Sequence, residues 1–326
     1  MSMTKINWGI IGCGDVTELK SGPAFNKVPN SSLVAVMRRN ADKAADYAKR
    51  HHVPKWYNNT DELINDPDVN AIYIATPPAF HELYTSAAIK AGKSVYVEKP
   101  MSLNFEQAKR MYLAAEEHKI KLVVAHYRRE WPLFKKIKEL IDAETIGNIH
   151  LVKLVYDKPA LTVAELADEK IAWRVNPAIS GGGFFHDLAP HQLDILYYLF
   201  DDAKIIQGIA TNQAGIYEAH DMVAGNILFN NNIAFTGSWY FNAATPADCC
   251  EITGSRGSIR FSFFSSNIIE LTVDGITTVY TFDVLQHVQQ PMIEKTVSYF
   301  WGEADNPCTG YQAAVIMRWI DVFVSE

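Results

Sequence analysis

The first regular element of the chain is contained in residues 6–17, which read INWGIIGCGDVT. An apolar strand pattern runs directly into Gly12 and Gly14, and a helical pattern follows. In the G-x-G-x-x-G motif, the first glycine permits a tight turn and the second lets the backbone approach a pyrophosphate. Thr17 replaces the third glycine, which normally allows close packing of helix and strand. A strand, a glycine turn and a helix in this order predict a dinucleotide-binding unit. The expected cofactor contacts are Gly12, Cys13, Gly14, Asp15 and Val16.

The same alternation continues over the first third of the chain. Short apolar runs of the kind found in buried strands occur at 33–39, 71–76, 94–98 and 121–126. Helical patterns separate them at 41–51, 81–92 and 104–119. Repeated strand–helix–strand units imply right-handed crossovers and a parallel sheet that is covered on both faces. Residues 1–126 are therefore predicted to form an α/β domain of the Rossmann type.

The pattern changes after about residue 145, where strands become longer and alternate between apolar and polar residues. Such runs occur at 148–156, 203–214, 222–241, 249–264 and 268–282, and the turn signals NNN and VDG fall within them. Two helical segments, at 186–200 and 310–324, interrupt this region. Residues 127–326 are predicted to form an α+β domain with a large, open, mostly antiparallel sheet.

Composition restricts the classes of function. The chain has 326 residues, 48% of them hydrophobic, and a net charge of −7, which disfavours a nucleic-acid partner because phosphate binding needs basic surfaces. No apolar run reaches membrane-spanning length, so no membrane association is expected. The strand pattern begins almost at once, so no signal peptide is expected. The four cysteines form no C-x-x-C pair. We therefore expect reduced thiols and a cytoplasmic location.

The end of the second strand indicates which dinucleotide is bound. An NAD enzyme places Asp or Glu there to bind the ribose 2′-hydroxyl. This chain has Arg38, Arg39 and Asn40 instead. Because an arginine fork binds phosphate oxygens in pairs, Arg38 and Arg39 predict a preference for NADP(H) over NAD(H). A solvated basic pair at a strand end is the alternative interpretation.

Two further strand ends carry residues suited to the cofactor edge of the sheet. Thr76-Pro77-Pro78 follows the fourth strand and leads to His81, and the two prolines fix an extended exit of the chain. The next strand ends in Glu98-Lys99-Pro100. In an open parallel sheet, ligands bind outside the carboxyl ends of the strands, so these segments are candidate cofactor contacts. A plain strand terminator and a surface lysine are the respective alternatives.

A second group of candidate residues follows three glycines at 181–183. Asp187 and His191 are four residues apart and therefore share one face of a helix. A carboxylate can orient an imidazole that passes protons at neutral pH. His186 and His191 are five apart and face different ways, and no clustered Cys or His completes a tetrahedral site. No metal site is predicted.

Four segments, GIIGCGD, ATPP, AGKSVYVEKPMS and GGGFFHDLAPHQLD, in this order and spacing resemble the Gfo/Idh/MocA oxidoreductases. The resemblance runs from residue 6 to about 200 and continues more loosely to the last helix, while Pro190 replaces the small residue usual before the histidine. It implies that Lys99, Asp187 and His191 are catalytic, with Glu98 beside the cofactor. It also implies that the Lys99–Pro100 bond is often cis and that Tyr127, Arg128, Trp173 and Arg174 line the substrate pocket. For an individual arginine, a structural salt bridge is an equally good interpretation.

The resemblance further implies hydride transfer between NADP(H) and a carbinol or carbonyl carbon of a sugar, cyclitol or related polyol. The expected partner is a small polyhydroxylated substrate, and the open sheet is expected to form a homodimer or homotetramer. Two alternatives stay open. One is an enzyme similar to trans-dihydrodiol dehydrogenases, and the other is a non-catalytic dinucleotide-binding sensor or repressor, which would be expected to lack Lys99 or His191.

Overall fold

The chain forms two compact units in the computed structural model, which describes residues 5–325. The first unit comprises the chain up to Tyr127 together with Leu285–Ala314, and the second comprises Arg128–Val284 with the residues from Val315 onward. The sequence-based division at 126/127 assigned 285–314 to the second domain, whereas this segment packs within the first unit. Its Phe300 ring lies 5.6 Å from the ring of Trp8, at the centre of the first unit's core.

The first unit is built on a six-stranded sheet with the order β3-β2-β1-β4-β5-β6, and every neighbouring pair is parallel. This is the strand order of a doubly wound dinucleotide-binding sheet. The strands are β1 Ile6–Ile11, β2 Ser31–Met37, β3 Lys55–Tyr57, β4 Ala71–Ile74, β5 Ser94–Val97 and β6 Leu122–Val124. The α/β prediction for this part of the chain is confirmed.

Helices connect these strands and cover both faces of the sheet. They are α1 Asp15–Leu19, α2 Ala41–Arg50, α3 Thr60–Ile64, α4 His81–Lys90 and α5 Phe105–Glu117. A further helix, α11 Gln290–Trp301, lies in the segment Leu285–Ala314 of the same unit. Three of them begin after an asparagine, Asn40, Asn59 or Asn104, whose side chain accepts a hydrogen bond from a backbone N–H of the first turn. Such caps satisfy amides that have no partner within the helix.

The second unit is built on an eight-stranded sheet with the order β14-β13-β12-β11-β7-β10-β9-β8. All neighbours are antiparallel except β7 and β10, which are parallel. The strands are β7 Ile149–Asp157, β8 Ala203–Thr211, β9 Met222–Phe229, β10 Ala234–Tyr240, β11 Ala247–Gly254, β12 Gly257–Phe261, β13 Ile268–Val273 and β14 Ile276–Thr281. The predicted open, mostly antiparallel sheet is confirmed.

Helices cover one face of this sheet and leave the other outward. Besides α11, the helices after β6 are α6 Pro132–Asp142, α7 Val163–Ala167, α8 Glu169–Ala172, α9 Pro177–Ser180, α10 Gly183–Phe200 and α12 Gly310–Val324. Trp239 of β10 is fully buried beneath α10, where its indole N–H donates to Gln192 at 2.6 Å. Its ring also contacts those of Phe185 and Phe323. These contacts fix the orientation of α10, which carries two of the predicted catalytic residues.

Within residues 5–325, no helix combines the length and the apolar character that crossing a membrane requires.

Candidate active site

The glycine turn after β1 is held against the end of β4. Gly12 has φ +92°, a region that favours glycine, and a Cβ there would lie 2.8 Å from the methyl of Thr76 and 3.0 Å from the carbonyl of Ala75. Around Gly14 the space is open, because a Cβ would meet only the carbonyl oxygen of Gly12, at 3.9 Å. A tight turn followed by an open backbone is the shape that a pyrophosphate needs. The predicted contacts at residues 12–16 fit a dinucleotide.

Thr17 takes over part of the structural role of the missing glycine. Its side chain is buried, and both its hydroxyl and its amide donate to the carbonyl oxygen of Gly14, at 2.8 and 3.0 Å. Its own carbonyl accepts the Tyr47 hydroxyl at 2.8 Å. The close approach of backbone segments occurs instead at Gly22, where a Cβ would lie 2.2 Å from the Thr17 carbonyl oxygen. Burial raises the pKa of the neighbouring Cys13 thiol to about 11, so this cysteine is a packed neutral group.

The end of β2 carries two arginines in different environments. The guanidinium of Arg38 is half-buried and donates to the carbonyl oxygen of Cys13 in the glycine turn, at 3.3 Å. Arg39 is exposed, and its guanidinium lies 5.3 Å from the ring centre of Phe80. Asn40 caps α2 and offers no carboxylate. Both cations therefore lie at the sheet edge that also holds the glycine turn.

The loop after β4 is tied to the loop after β5 through His81. Thr76 and Pro77 are half-buried, Pro78 is buried, and His81 is fully buried at the start of α4. The His81 ring nitrogens lie 2.7 Å from the Thr76 carbonyl oxygen and 3.0 Å from that of Pro100. Burial lowers the pKa of His81. Because both nitrogens face loop carbonyls, we assign His81 to holding these two loops, rather than to the direct cofactor contact that the sequence predicted.

The segment after β5 sets Lys99 at the same edge of the sheet. Glu98 continues the pairing with β4, since its amide donates to the Ile74 carbonyl at 2.9 Å, and its side chain is 6% exposed. The Lys99 amide donates to the Glu98 carboxylate at 3.2 Å, and the Lys99–Pro100 peptide is cis. Lys99 itself is half-buried. The turn therefore fixes the backbone from which the Lys99 side chain departs.

In the second unit, Asp187 and His191 lie one turn apart on α10. This helix continues through Pro190, although proline removes one backbone hydrogen bond. The His191 side chain is 6% exposed, and its ring lies 5.8 Å from that of Phe264. Asp187 accepts a hydrogen bond from the Arg174 guanidinium at 3.2 Å, and both side chains remain partly exposed. The structure thus pairs one predicted catalytic carboxylate with one predicted substrate arginine.

The two aromatic positions predicted as substrate contacts differ from each other. The Arg174 guanidinium lies 4.5 Å from the ring centre of Trp173, which is half-buried. Tyr127 is buried, at 6% exposed, and belongs to the first unit. Trp173 therefore supports Arg174, while Tyr127 stays a predicted substrate contact.

Arg128 has a structural environment. Its guanidinium lies between the rings of Trp131 and Phe264, at 4.3 and 4.6 Å, and donates to the Phe263 carbonyl at 2.5 Å. It is 6% exposed. Asp248 shapes this loop by accepting three backbone N–H groups, from Phe263, Phe264 and Ser265, at 2.6 to 3.0 Å. We therefore assign Arg128 to holding Phe264 beside His191, rather than to the direct substrate contact that the sequence predicted.

Sequence reasoning missed a second cation near Asp187. Lys158 directly follows β7, and its ammonium lies 4.7 Å from the ring centre of Phe184. Burial lowers the pKa of Lys158, while the charge of Asp187 opposes that shift. The neighbouring Tyr156 has a pKa raised to about 12, first by burial and then by the charges of Asp248 and Asp187. In the sequence, the feature that could have identified Lys158 as a candidate is its position at the end of a strand.

His186 is not part of this polar group. It is 3% exposed, and burial lowers its pKa to about 4, so it is neutral at ordinary pH. Its ring packs so closely on Gly182 that a Cβ there would lie 2.1 Å from Nδ1. Among residues 5–325, no three His, Cys, Asp or Glu side chains are grouped as metal ligands would be.

Each unit therefore collects a distinct set of candidate residues. In the first, the glycine turn, Arg38, the Thr76–Pro78 loop and Glu98-Lys99 lie at the carboxyl ends of β1, β2, β4 and β5. In the second, Arg174, Asp187, His191 and Lys158 lie on α10 or on the segments after β7. The first set fits a dinucleotide, and the second is suited to binding hydroxyl groups and moving protons.

Comparison with known proteins gives matches over nearly the whole chain. The family description "Oxidoreductase family, NAD-binding Rossmann fold" matches residues 6–126, and "GFO/IDH/MocA C-terminal domain" matches residues 134–260. "Oxidoreductase P35" of Formosa agariphila is 47% identical over 320 residues, which cover 98% of each chain. "1,5-anhydro-D-fructose reductase" of Ensifer adhaerens is 27% identical, covering 77% of this chain and 74% of that protein.

A solved structure reproduces the fold. It is a levoglucosan dehydrogenase in complex with NADH and levoglucosan, with TM-score 0.85, 21% identity, and coverage of 98% of this chain and 97% of the other. At this identity the similarity concerns the fold. Together with the two matching domain families and the 47% identical relative, it confirms the predicted family. The chain belongs to the Gfo/Idh/MocA family, and it is an NAD(P)-dependent oxidoreductase whose first unit is the NAD-binding Rossmann domain.

Proposed function

We propose that the protein transfers a hydride between NADP(H) and the carbinol or carbonyl carbon of a small polyhydroxylated substrate, such as a sugar or cyclitol. The observation that carries the proposal is the turn after β5, in which the Lys99 amide donates to the Glu98 carboxylate and an ammonium-bearing residue lies at the cofactor edge of a Rossmann sheet. The relative named 1,5-anhydro-D-fructose reductase supports a sugar-like substrate.

When bound, the nicotinamide accepts or returns the hydride. The chain's own residues then have to align the hydroxyl and carry its proton. We assign the proton to His191, because an imidazole exchanges protons near neutral pH. Asp187 is proposed as an acceptor, and Lys99 as a donor, of hydrogen bonds with hydroxyl groups of the substrate. Arg174 holds Asp187 through the 3.2 Å hydrogen bond and thereby limits the directions in which this carboxylate can point.

The test of the reaction is a substrate panel. Sugars, cyclitols and trans-dihydrodiols are each incubated with NADP⁺ and NAD⁺, and formation of reduced cofactor is followed by absorbance. We expect turnover of at least one polyol. Turnover confined to dihydrodiols would favour the dihydrodiol alternative. Tight NADPH binding without turnover of any compound would favour the sensor alternative.

The role of Lys99 is tested by Lys99→Ala. Loss of the donor that aligns the reacting hydroxyl should lower kcat by about 10²-fold, whereas the Kd for NADPH should change far less. Lys90→Ala is the matched control, because Lys90 is an exposed lysine at the end of α4. Equal kcat values for Lys99→Ala and the wild type would remove Lys99 from the mechanism.

The preference for NADP(H) is proposed from Arg38 and Arg39. Hydrogen bonds to charged groups contribute about 1.5–3 kcal/mol, so Arg38→Asp should raise the KM for NADP⁺ by roughly 10- to 100-fold and improve use of NAD⁺. Arg50→Asp serves as the control, since Arg50 is an exposed arginine whose partners are Glu18 and Asp46 on the protein surface. An unchanged KM for NADP⁺ in Arg38→Asp would exclude this contact.

A further inference from the structure

The carboxylate of Glu98 is held by three donors in a buried network. Its Oε1 accepts the Tyr73 hydroxyl and the Gln289 side-chain amide, each at 2.5 Å, and its Oε2 accepts the Lys99 amide at 3.2 Å. Tyr73 is fully buried and Gln289 is 1% exposed. Burial, followed by the charge of Glu98, raises the pKa of Tyr73 well above its ordinary value, so its hydroxyl keeps the proton that it donates.

The orientation of the Gln289 amide is determined by a fourth residue. The Tyr96 hydroxyl donates to Gln289 Oε1 at 3.1 Å, so the amide nitrogen is the end that faces Glu98. Tyr96 is fully buried, and burial followed by the charge of Glu98 raises its pKa well above its ordinary value. Tyr73 and Tyr96 are register partners on β4 and β5, and their rings stack with centres 5.2 Å apart. Two adjacent strands therefore supply the hydroxyls on either side of the amide and the carboxylate.

Gln289 reaches this network from a segment that is remote in sequence and firmly anchored. Its own backbone amide donates to the Lys20 carbonyl at 3.2 Å, beside the end of α1. Two residues earlier, His287 Nδ1 donates to the Leu19 carbonyl at 2.7 Å, which leaves Nε2 to accept a hydrogen bond from the Lys27 ammonium at 2.6 Å. The segment Leu285–Gln290 is thereby fastened to the region that follows the glycine turn.

We propose that Gln289 is a positioning residue for catalysis, whose oriented amide fixes the Glu98 carboxylate and, through it, the backbone that presents Lys99. This inference rests on the proposed function and adds to it a residue about 190 positions beyond the catalytic turn. The Glu98 carboxylate accepts the N–H of Lys99 itself, so a shift of this carboxylate shifts the start of the Lys99 side chain. Displacements of about 1 Å at a reacting group can cost 10²-fold in rate.

The first test replaces the amide by an apolar group of similar length. In Gln289→Leu we expect kcat to fall by about 10- to 100-fold, the equivalent of one lost charge-assisted hydrogen bond, while the KM for NADP⁺ changes less than about threefold. Gln290→Leu is the matched control, because the Gln290 side chain donates to Glu294 at the surface of α11. A folded Gln289→Leu with the wild-type kcat would overturn the proposal.

The second test introduces a charge and measures how kcat depends on pH. A purely structural role of Gln289 would not change this dependence. Gln289→Glu places two carboxyl groups in contact in a buried site, where one of them keeps its proton to a higher pH. Above about pH 4.3, the folded variant then still holds a proton that the unfolded chain has released. The free energy of unfolding of the variant should therefore fall relative to that of the wild type as pH rises. We expect its kcat to fall relative to the wild type over the same range. A variant-to-wild-type ratio of kcat that is constant from pH 5 to 9 would contradict the proposal.

The exchange variant E98Q/Q289E separates structure from catalysis. It restores a carboxylate–amide pair but moves the charge away from the Lys99 amide, so we expect Tm to recover while kcat stays low. Recovery of kcat along with Tm would show that the network serves folding only. If the wild type turned over no substrate, the proposed function would fail. The pH dependence of Tm in Gln289→Glu would still report whether Gln289 and Glu98 are coupled, and its absence would overturn the inference by itself.

Discussion

Thr17 shows how one residue can replace a motif position without disturbing the site. The motif favours glycine there because helix and strand pack closely. In this chain the Thr17 hydroxyl instead bonds back to Gly14 at 2.8 Å and stabilises the turn, while the close approach of backbone occurs at Gly22. The glycine spacing predicted the dinucleotide-binding unit only together with the strand before it and the helix after it. The compensation at Gly22 was not predictable, because it depends on the path of the chain after α1.

His186 leads to a prediction about stability at acid pH. Its pKa is near 6.5 when exposed and about 4 in the folded protein, because burial disfavours the charged ring. Below pH 6.5 the unfolded chain therefore takes up a proton that the folded chain does not. The free energy of unfolding should fall by up to about 3 kcal/mol between pH 6.5 and pH 4.

The measurement is urea unfolding at several pH values for the wild type and for His186→Phe, which cannot titrate. We expect the variant to lose less stability across this range than the wild type. His118→Phe is the control, because His118 is exposed at the end of α5. Parallel pH curves for the wild type and His186→Phe would contradict the expected shift.

At the scale of elements, a buried ion pair connects the 3₁₀ turn Tyr127–Glu130 to α10. The Arg129 guanidinium makes three hydrogen bonds of 2.6 to 3.0 Å to the Asp194 carboxylate, and the two residues are 3% and 1% exposed. Asp194 lies one turn beyond His191 on the same helix. The pair therefore fixes both the position and the rotation of the helix that carries Asp187 and His191.

Removal of one partner of this pair should be costly, because it leaves a buried charge uncompensated. Asp194→Asn is expected to lower the free energy of unfolding by about 3–5 kcal/mol, as measured by denaturant unfolding. Asp142→Asn is the matched control, since Asp142 pairs with Lys138 at the surface, and we expect a change below about 1 kcal/mol. A loss below 1 kcal/mol in Asp194→Asn as well would show that the pair does not hold α10.

The sequence predicted most of the long elements, although it missed the helix α11 Gln290–Trp301, and it missed several short ones. The three-residue strand β3 and the short helices α7, α8 and α9 contain too few residues to show a period. The sequence also could not predict the environment of Arg128, because its aromatic partner Phe264 is far away along the chain. Arg128 could be chosen for its charge and its position after a strand. Its burial followed only from tertiary packing.

At the scale of the whole molecule, the outward face of the eight-stranded sheet suggests self-association. One register row contains Lys153, Glu251, Arg260 and Glu270 on four neighbouring strands, so charges of opposite sign alternate across the sheet. Apolar side chains flank this row, among them Val155 at 41% and Ile209 at 71% exposed. We propose that this face forms the interface of a homodimer or homotetramer.

The association is tested by sedimentation velocity on Val155→Lys/Ile209→Lys. Two added charges on the apolar flank should repel a facing copy and convert the oligomer to monomer. Leu83→Lys is the control, because Leu83 is 63% exposed on α4 of the first unit. A wild-type protein that sediments as a monomer at every concentration would refute the interface.

The connectivity of the first unit has a consequence for how the protein is made. Leu285–Ala314 supplies Gln289 to the Glu98 network and Phe300 to the core beside Trp8, and Lys121 donates to the Tyr299 and Phe300 carbonyls at 2.9 and 2.8 Å. A ribosome releases these residues only after it has translated the eight-stranded sheet. Until then, the part of the Rossmann domain that Leu285–Ala314 covers stays exposed. A chain stalled before residue 285 should therefore be a target for chaperones and proteases.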